Sequence, residues 1–494
     1  HEPRIYSRQC YLCRMTETSK VRSLPTEFLT SIGRLLGDEA ALLQKALSGN
    51  APVSFRINPF KWGRNPLVAD VALERVPWSQ WGFYVDERPA FTFDPLFHAG
   101  YYYVQEASSM FVEHVVRQLV KEPAVCLDVC AAPGGKSLSL LSALPEGSLL
   151  VSNEVVRPRA HVLAETLAKL GDANVAVTNN TAKDFSALRG WFDVVLVDAP
   201  CSGEGMFRKD ETAVTEWSPR NVEMCAARQR DILADIWPAL KPGGLLVYST
   251  CTYNTEENEE NALWIAQELG AEFEAVKTEE EWGIASSLDP RVVAYRFFPH
   301  STKGEGLFVA VLRKAGADDA EAAPVGSRAK GNARSKKKAP LFLKDISPYA
   351  DLLSAPHDFE FMDIDNRVVA LPSLHSETMA ALGERLRIVS MGIEMGVKKG
   401  RDFIPSQALA LSRHGGGFNR YGVTYEEAIR YLRREAVPLA DAPAGYVVLT
   451  YKGEPLGFVK NLGNRSNNLY PSEWRIRSGY LPEKRTGIFG GTDR

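Results

Sequence analysis

Two cysteines stand where reactive thiols belong. Asp198-Ala199-Pro200-Cys201-Ser202-Gly203-Glu204-Gly205 and Ser249-Thr250-Cys251-Thr252-Tyr253 each follow an apolar run that reads as a strand, and each surrounds its cysteine with small polar residues. An ordinary buried cysteine behaves as a small hydrophobe, which is the reading given to Cys126 and Cys225. Cys201 and Cys251 instead sit at strand ends, where Lys136 or a helix N-terminus could lower a thiol's pKa. Such a pair suits one kind of chemistry. A thiolate adds to an electron-poor ring, and a second group removes a proton before the first thiolate is expelled. Methylation at carbon 5 of cytosine needs both steps, because that carbon becomes nucleophilic only when carbon 6 carries a thiolate. A stacked cytosine hides carbon 6, so the base would have to be unpaired or flipped. Asp198 lies in the same turn as Cys201 and could hydrogen-bond the base or a cofactor amine.

A cofactor loop precedes them. Leu127-Asp128-Val129-Cys130-Ala131-Ala132-Pro133-Gly134-Gly135-Lys136-Ser137 reads as a strand ending in small residues before a helix, so backbone amides and a helix N-terminus can approach a ligand. A nucleotide-phosphate loop is excluded, since its first glycine would fall at Cys130. Glu154, at the end of the next strand, occupies the place of the acid that holds ribose hydroxyls in Rossmann-like sites; a solvated helix-capping acid is the alternative.

These residues need a scaffold, and the apolar pattern supplies one. Val125–Val129, Leu149–Ser152, Val175–Thr178, Val194–Val197, Leu245–Tyr248 and Leu307–Leu312 alternate with helical segments, which predicts a doubly wound α/β sheet with ligands at strand C-termini. Before it, Phe28, Leu29, Ile32, Leu35, Leu36, Leu42 and Leu43 recur at helical spacing and Ser54–Asn58 reads as a strand. After it, residues 316–340 turn from acidic (Asp318, Asp319, Glu321) to basic (Arg328, Lys330, Arg334, Lys336, Lys337, Lys338), as a flexible linker does. Gly445–Tyr451 and Leu456–Lys460 flank Lys452-Gly453-Glu454-Pro455 and predict a β-hairpin. The expected organisation is a leader at 1–14, a small α/β RNA-binding domain at 15–105, the methyltransferase domain at 106–315, the linker at 316–340, a first C-terminal domain at 341–398 and a second at 399–494.

With 494 residues, 45% of them hydrophobic, the chain can bury several cores. A net charge of -3 excludes a globally basic nucleic-acid binder and leaves room only for a local basic surface. Seven cysteines, an odd number without scaffold spacing, argue for reduced thiols. Cys10 and Cys13 form a C-x-x-C without a second ligand pair, so no metal is expected. No apolar run suits a membrane span, and a cytoplasmic protein is expected. The first residues, which open without methionine, read as a non-native or disordered leader.

Taken in order, these motifs resemble the Sun-domain family of RNA (cytosine-C5) methyltransferases, and its bacterial 16S rRNA methyltransferase F branch above all. The resemblance extends to Tyr102-Tyr103-Val104-Gln105-Glu106-Ala107-Ser108 on one side and to Gly445-Tyr446-Val447 and Asn464–Arg475 on the other, the latter similar to a PUA-like RNA-binding domain. It implies a Rossmann-like core with a small α+β N-terminal domain, S-adenosylmethionine as cofactor, and RNA, 16S rRNA or the small ribosomal subunit, as partner. It also implies roles. Cys251 of the Thr-Cys motif would be the nucleophile and Cys201 of the Pro-Cys motif would assist release, beside Asp198 and Lys136. Cys130, Ala131, Ala132, Pro133, Gly134, Gly135, Lys136, Glu154 and Asp198 would contact the cofactor. Thr181 stands where the family often has an aspartate, and Asp184 is the nearby acid that could replace it. The rival readings are a tRNA enzyme of the same chemistry and a non-catalytic ribosome-assembly protein.

Overall fold

The computed structural model describes residues 23–316, 342–439, 441–480 and 487–489; the expected leader, its Cys10/Cys13 pair and residues 317–340 of the expected linker lie outside them. At the centre is the expected doubly wound sheet. Strands β1 (Val125–Asp128), β2 (Leu149–Asn153), β3 (Val175–Thr178), β4 (Phe192–Asp198) and β5 (Leu240–Thr250) are parallel, in the order β3-β2-β1-β4-β5. Antiparallel to β5 runs β6 (Leu307–Lys314). The strands are nearly continuous Val and Leu runs because both faces are covered. Helices α1 (Phe111–Leu119), α2 (Gly135–Ala143) and α3 (Arg157–Leu170) cover one face, and α4 (Pro219–Ile236) and α5 (Glu259–Glu268) the other. The chain runs outward from β1 to β3, then returns to the opposite side of β1 to form β4 and β5. The reversal opens a crevice at the C-terminal ends of β1 and β4, the place where such sheets bind ligands.

Of the expected domain at 15–105, residues 23–105 divide between two locations. Helices Thr26–Leu36 and Ala40–Leu47 bury Phe28, Ile32 and Leu43 against Phe207, Trp217, Tyr253 and Phe298, beside the cysteine loops. The N-terminal sheet, in the order Glu74–Arg75, Gly82–Val85, Val53–Ile57, Tyr102–Val104, faces the other way. Its Phe55, Tyr101 and Tyr102 share one core with Tyr451, Leu456, Val459 and Phe489 of the tail. Four strands cannot bury an apolar face alone, and the tail supplies the missing layer. A buried ion pair fixes this sheet to the central α/β core: Arg56 Nη2 lies 3.1 Å from Glu113 Oε2 on α1. Burial would push the guanidinium down, and Glu113 opposes it.

The C-terminal half is equally interlocked. Ile388–Met391 pairs antiparallel with β3 and extends the central sheet, while Phe359–Ile364, Arg367–Pro372, Ile393–Lys399 and Asp402–Pro405 form a sheet of their own. The expected hairpin is present as Gly445–Tyr451 and Glu454–Asn461. Its turn is tighter than the sequence suggests, since only Lys452 (φ 50°) and Gly453 (φ 83°) take left-handed backbone, as a two-residue hairpin turn requires. Among the described residues no helix is long and apolar enough to cross a membrane. Among them, too, no group of three or more His, Cys, Asp or Glu could hold a metal ion.

Phe489 touches Phe55, Trp62, Tyr101 and Tyr102 edge-on or tilted at 5.2–6.2 Å. Phe489→Ala should therefore destabilise the N-terminal sheet by about 3–5 kcal/mol, although the two are distant in sequence. Denaturant unfolding followed by tryptophan fluorescence measures this; a loss below about 1 kcal/mol would show that the shared core is loosely packed.

Candidate active site

The pairing of β4 with β5 brings the two cysteines together. Asp198 lies opposite Ser249 in the ladder, so the loops that follow start side by side. The Cys201 and Cys251 sulfurs are 3.0 Å apart, and the Cys251 backbone N–H donates to the Cys201 sulfur at 3.3 Å. Both residues are half-buried. Contact with Cys251 holds the Cys201 thiol well above the usual range; burial, the charge of Cys251 and that of Glu257 add to the effect. Both sulfurs cannot carry charge at this distance, so at least one of them keeps its proton.

Lys136 and Asp198 complete the centre. The Lys136 ammonium is 2.9 Å from Asp198 Oδ2, and Ser249 Oγ donates to Asp198 Oδ1 at 2.8 Å. Burial alone would lower Lys136, but Asp198 outweighs it, with smaller help from Cys251 and Glu106, and the ammonium stays charged. The four residues expected to act in catalysis thus meet at adjacent strand ends.

The loop between β1 and α2 forms the expected cradle. Gly134 has φ 117°, and a Cβ there would lie 2.8 Å from Thr166 Cγ2, so only glycine fits. Ala131 N donates to Asn153 O at 2.8 Å, and Arg159 Nη2 to Ala132 O at 2.8 Å, fixing the loop against β2 and α3. Pro133, Gly135 and Lys136 carry the chain into α2. The half-buried Cys130 has its thiol pushed up by burial, then by Asp128 and Asp198, which suits a wall and not a nucleophile. Glu154 caps the turn that leads into α3. Its Oε1 accepts from Val156 N at 2.8 Å, its Oε2 lies 3.3 Å from Arg159, and it is only 3% exposed, unlike the solvated acid of the alternative reading.

Asp128, beneath the glycine loop, is fully buried. Ser137 Oγ donates to its Oδ2 at 2.7 Å, while Oδ1 has no donor. Burial, partly offset by Ser137, pushes its carboxyl up to about 7. A glycine cradle, an acid after β2 and a buried acceptor awaiting a donor together fit S-adenosylmethionine, whose ribose hydroxyls and ammonium are donors. Thr181 is placed differently. It is exposed, its N–H and hydroxyl both donate to Asp184 Oδ2 (2.8 and 2.9 Å), and the pair caps the turn after β3. The carboxylate that could have replaced the family aspartate is therefore engaged in holding Thr181.

Sequence reasoning missed a layer of buried acids behind the cysteines. Glu204 and Glu257 are 2% and 0% exposed and tie the two loops together. Glu106 accepts from the backbone N–H groups of Ser108, Ser109 and Glu305 at 2.8–2.9 Å, joining the entry to α1 with the loop before β6. In the sequence, Asn254-Thr255-Glu256-Glu257-Asn258-Glu259-Glu260 looks like a solvated acidic run, and nothing local marks which acids turn inward.

Comparison with known proteins agrees with this architecture. A family model described as 16S rRNA methyltransferase RsmB/F matches residues 118–313, one for the N-terminal domain of 16S rRNA methyltransferase RsmF matches 24–107, and one for the methyltransferase RsmF PUA domain matches 418–476. Ribosomal RNA small subunit methyltransferase F of Erwinia tasmaniensis is 31% identical over 94% of this chain and 99% of its own. That of Shigella boydii is 31% identical over 86% and 87%. A solved methyltransferase homolog protein from Pyrococcus horikoshii is 27% identical, with a TM-score of 0.50, over 58% of this chain and 94% of its own. With its cofactor cradle, its paired cysteines and relatives aligned along almost their whole length, the chain belongs to the ribosomal RNA small subunit methyltransferase F family of RNA methyltransferases.

Proposed function

We propose that this protein methylates carbon 5 of a cytidine in 16S ribosomal RNA through a transient bond between Cys251 and carbon 6 of the base. The observation that carries this reading is the 3.0 Å contact between the Cys201 and Cys251 sulfurs beside the Lys136–Asp198 pair. S-adenosylmethionine supplies an electrophilic methyl group. Everything else falls to the chain. The glycine loop and Glu154 would hold the cofactor, and Asp198, fixed by Lys136 and Ser249, would offer its carboxylate to the cofactor or the base.

The Lys136 ammonium is the cation whose charge acts on the Cys251 sulfur, which favours attack by Cys251 as a thiolate, its proton released to water. The sulfur–carbon 6 bond forms, the displaced electron pair makes carbon 5 nucleophilic, and carbon 5 takes the methyl. Cys201 then becomes useful. While Cys251 is free, contact with it is the largest influence keeping the Cys201 thiol protonated. Once the Cys251 sulfur is bound to carbon it carries neither charge nor proton and that influence is gone; the Cys201 thiol gives its proton to solvent water and, as a thiolate, accepts the one from carbon 5. The carbon 5–carbon 6 double bond re-forms and Cys251 leaves.

Cofactor binding and thiol chemistry can be tested separately. Glu154→Ala should weaken S-adenosylmethionine binding about tenfold or more, the worth of charge-assisted bonds to ribose; calorimetry reading the parental affinity would remove Glu154 from the site. Cys251→Ala should abolish transfer without any covalent protein–RNA species, whereas Cys201→Ala should accumulate an adduct that survives denaturing electrophoresis. An adduct from Cys251→Ala would reverse the roles, and full activity in both variants would end the cysteine mechanism. Bisulfite sequencing of 16S and transfer RNA from cells with and without the gene identifies the substrate. A methylated cytidine lost only from transfer RNA would overturn the ribosomal assignment.

A further inference from the structure

Strand pairing places the two cysteine loops side by side, but it does not hold their tips. Glu204, in the Cys201 loop, directs its carboxylate into the other loop. Its Oε2 accepts from the backbone N–H groups of Tyr253 (2.7 Å) and Asn254 (3.1 Å), and its Oε1 from Trp217 Nε1 at 3.0 Å. Glu257, which follows Cys251, reaches back in the opposite sense. Its Oε2 accepts from the backbone N–H of Ser202 at 3.0 Å and from Gln229 Nε2 at 2.7 Å, and its Oε1 from Asn254 Nδ2 at 2.8 Å. All six partners are N–H donors, and among the described residues no cation lies within ion-pair distance of either acid.

Two buried carboxylates without a cation are expensive to desolvate. Apolar side chains of similar volume would fill the space at lower cost, but they would not fix the backbone N–H one residue after Cys201 or the one two residues after Cys251. We propose that Glu204 and Glu257 are positioning residues, a reciprocal clasp in which each cysteine loop grips the backbone of the other and the sulfur–sulfur separation is set. The catalytic consequence rests on the cysteine roles proposed above: two thiols must reach one ring in succession, one at carbon 6 and one at the hydrogen on carbon 5. The geometric part stands without those roles.

Glutamine is the informative replacement. It keeps the size of the side chain but turns an acceptor oxygen into an NH2 that faces N–H donors. Glu204→Gln and Glu257→Gln, made in the full chain, should loosen the sulfurs while leaving the cofactor cradle intact. The direct readout is the equilibrium of the Cys201–Cys251 disulfide with reduced and oxidised glutathione, quantified by alkylation and peptide mass spectrometry. The effective concentration of one thiol at the other should fall about tenfold or more in each variant, and kcat about a hundredfold with little change in the RNA KM. S-adenosylmethionine affinity should stay within about twofold, because neither acid touches the cradle. Should a glutamine variant fail to fold, Trp217→Phe removes one donor to Glu204 but keeps the ring, and should shift the disulfide equilibrium the same way. An unchanged disulfide equilibrium overturns the clasp whatever happens to activity. A shifted equilibrium with parental kcat overturns its catalytic part. Parental activity in Cys251→Ala would instead defeat the cysteine mechanism and leave the clasp to be judged by the disulfide equilibrium alone.

Discussion

The parallel pairing of β4 with β5 is the contact on which the rest of the site depends. It sets Asp198 against Ser249, and everything beyond those two residues is a short excursion from adjacent strand ends. The neighbouring pair β1 and β4 opens the crevice and sets the glycine cradle beside Asp198. β6, antiparallel to β5 from Phe308↔Thr250 to Arg313↔Leu245, covers the outer edge of β5 and keeps it a central strand. A register slip of one residue between β4 and β5 would move Asp198 off Ser249 and separate the cysteines.

Buried charge is concentrated around this centre. Arg296 and Glu259, both about 1% exposed, form an ion pair, and Arg296 also donates to Tyr253 O at 2.7 Å. Arg208 donates to Glu305 at 2.9 Å, and both are deeply buried. With Lys136–Asp198 and the two acids behind the cysteines, the loops are held mainly by polar contacts in a low-dielectric interior. Such contacts stabilise less than hydrocarbon packing would, but they are directional, and leaving any one partner unpaired is costly. The site is therefore specified in position more than it is strengthened.

The flanking regions act on the site through packing. The N-terminal helices sit on Phe207, Trp217 and Tyr253, side chains of the cysteine loops and their surroundings, while the N-terminal sheet and the tail close around one aromatic core. Arg56–Glu113 and the Ile388–Met391 strand then bind that assembly to the central sheet at two separate points. Regions distant in sequence thus form one continuous scaffold around the crevice.

Much of this was legible in the chain itself. Alternating apolar runs specify a doubly wound sheet because buried parallel strands must be apolar on both faces, and the small residues from Cys130 to Gly135 announce a backbone that approaches a ligand. Cys201 and Cys251 were visible as candidates because each follows a strand and lies among polar neighbours. Local pattern could not show that Thr181 and Asp184 cap each other, that Glu154 is buried against Arg159, or that Glu204 and Glu257 turn inward while nearby acids face water. Nor could it show that the N-terminal strands lack a core of their own until the tail arrives. The sequence by itself determined the parallel strands of the central sheet and which residues carry reactive groups, since both follow from side-chain chemistry and short-range period. Tertiary structure alone decided the partners and burial of each charged group, because those depend on which distant segments exclude water from it.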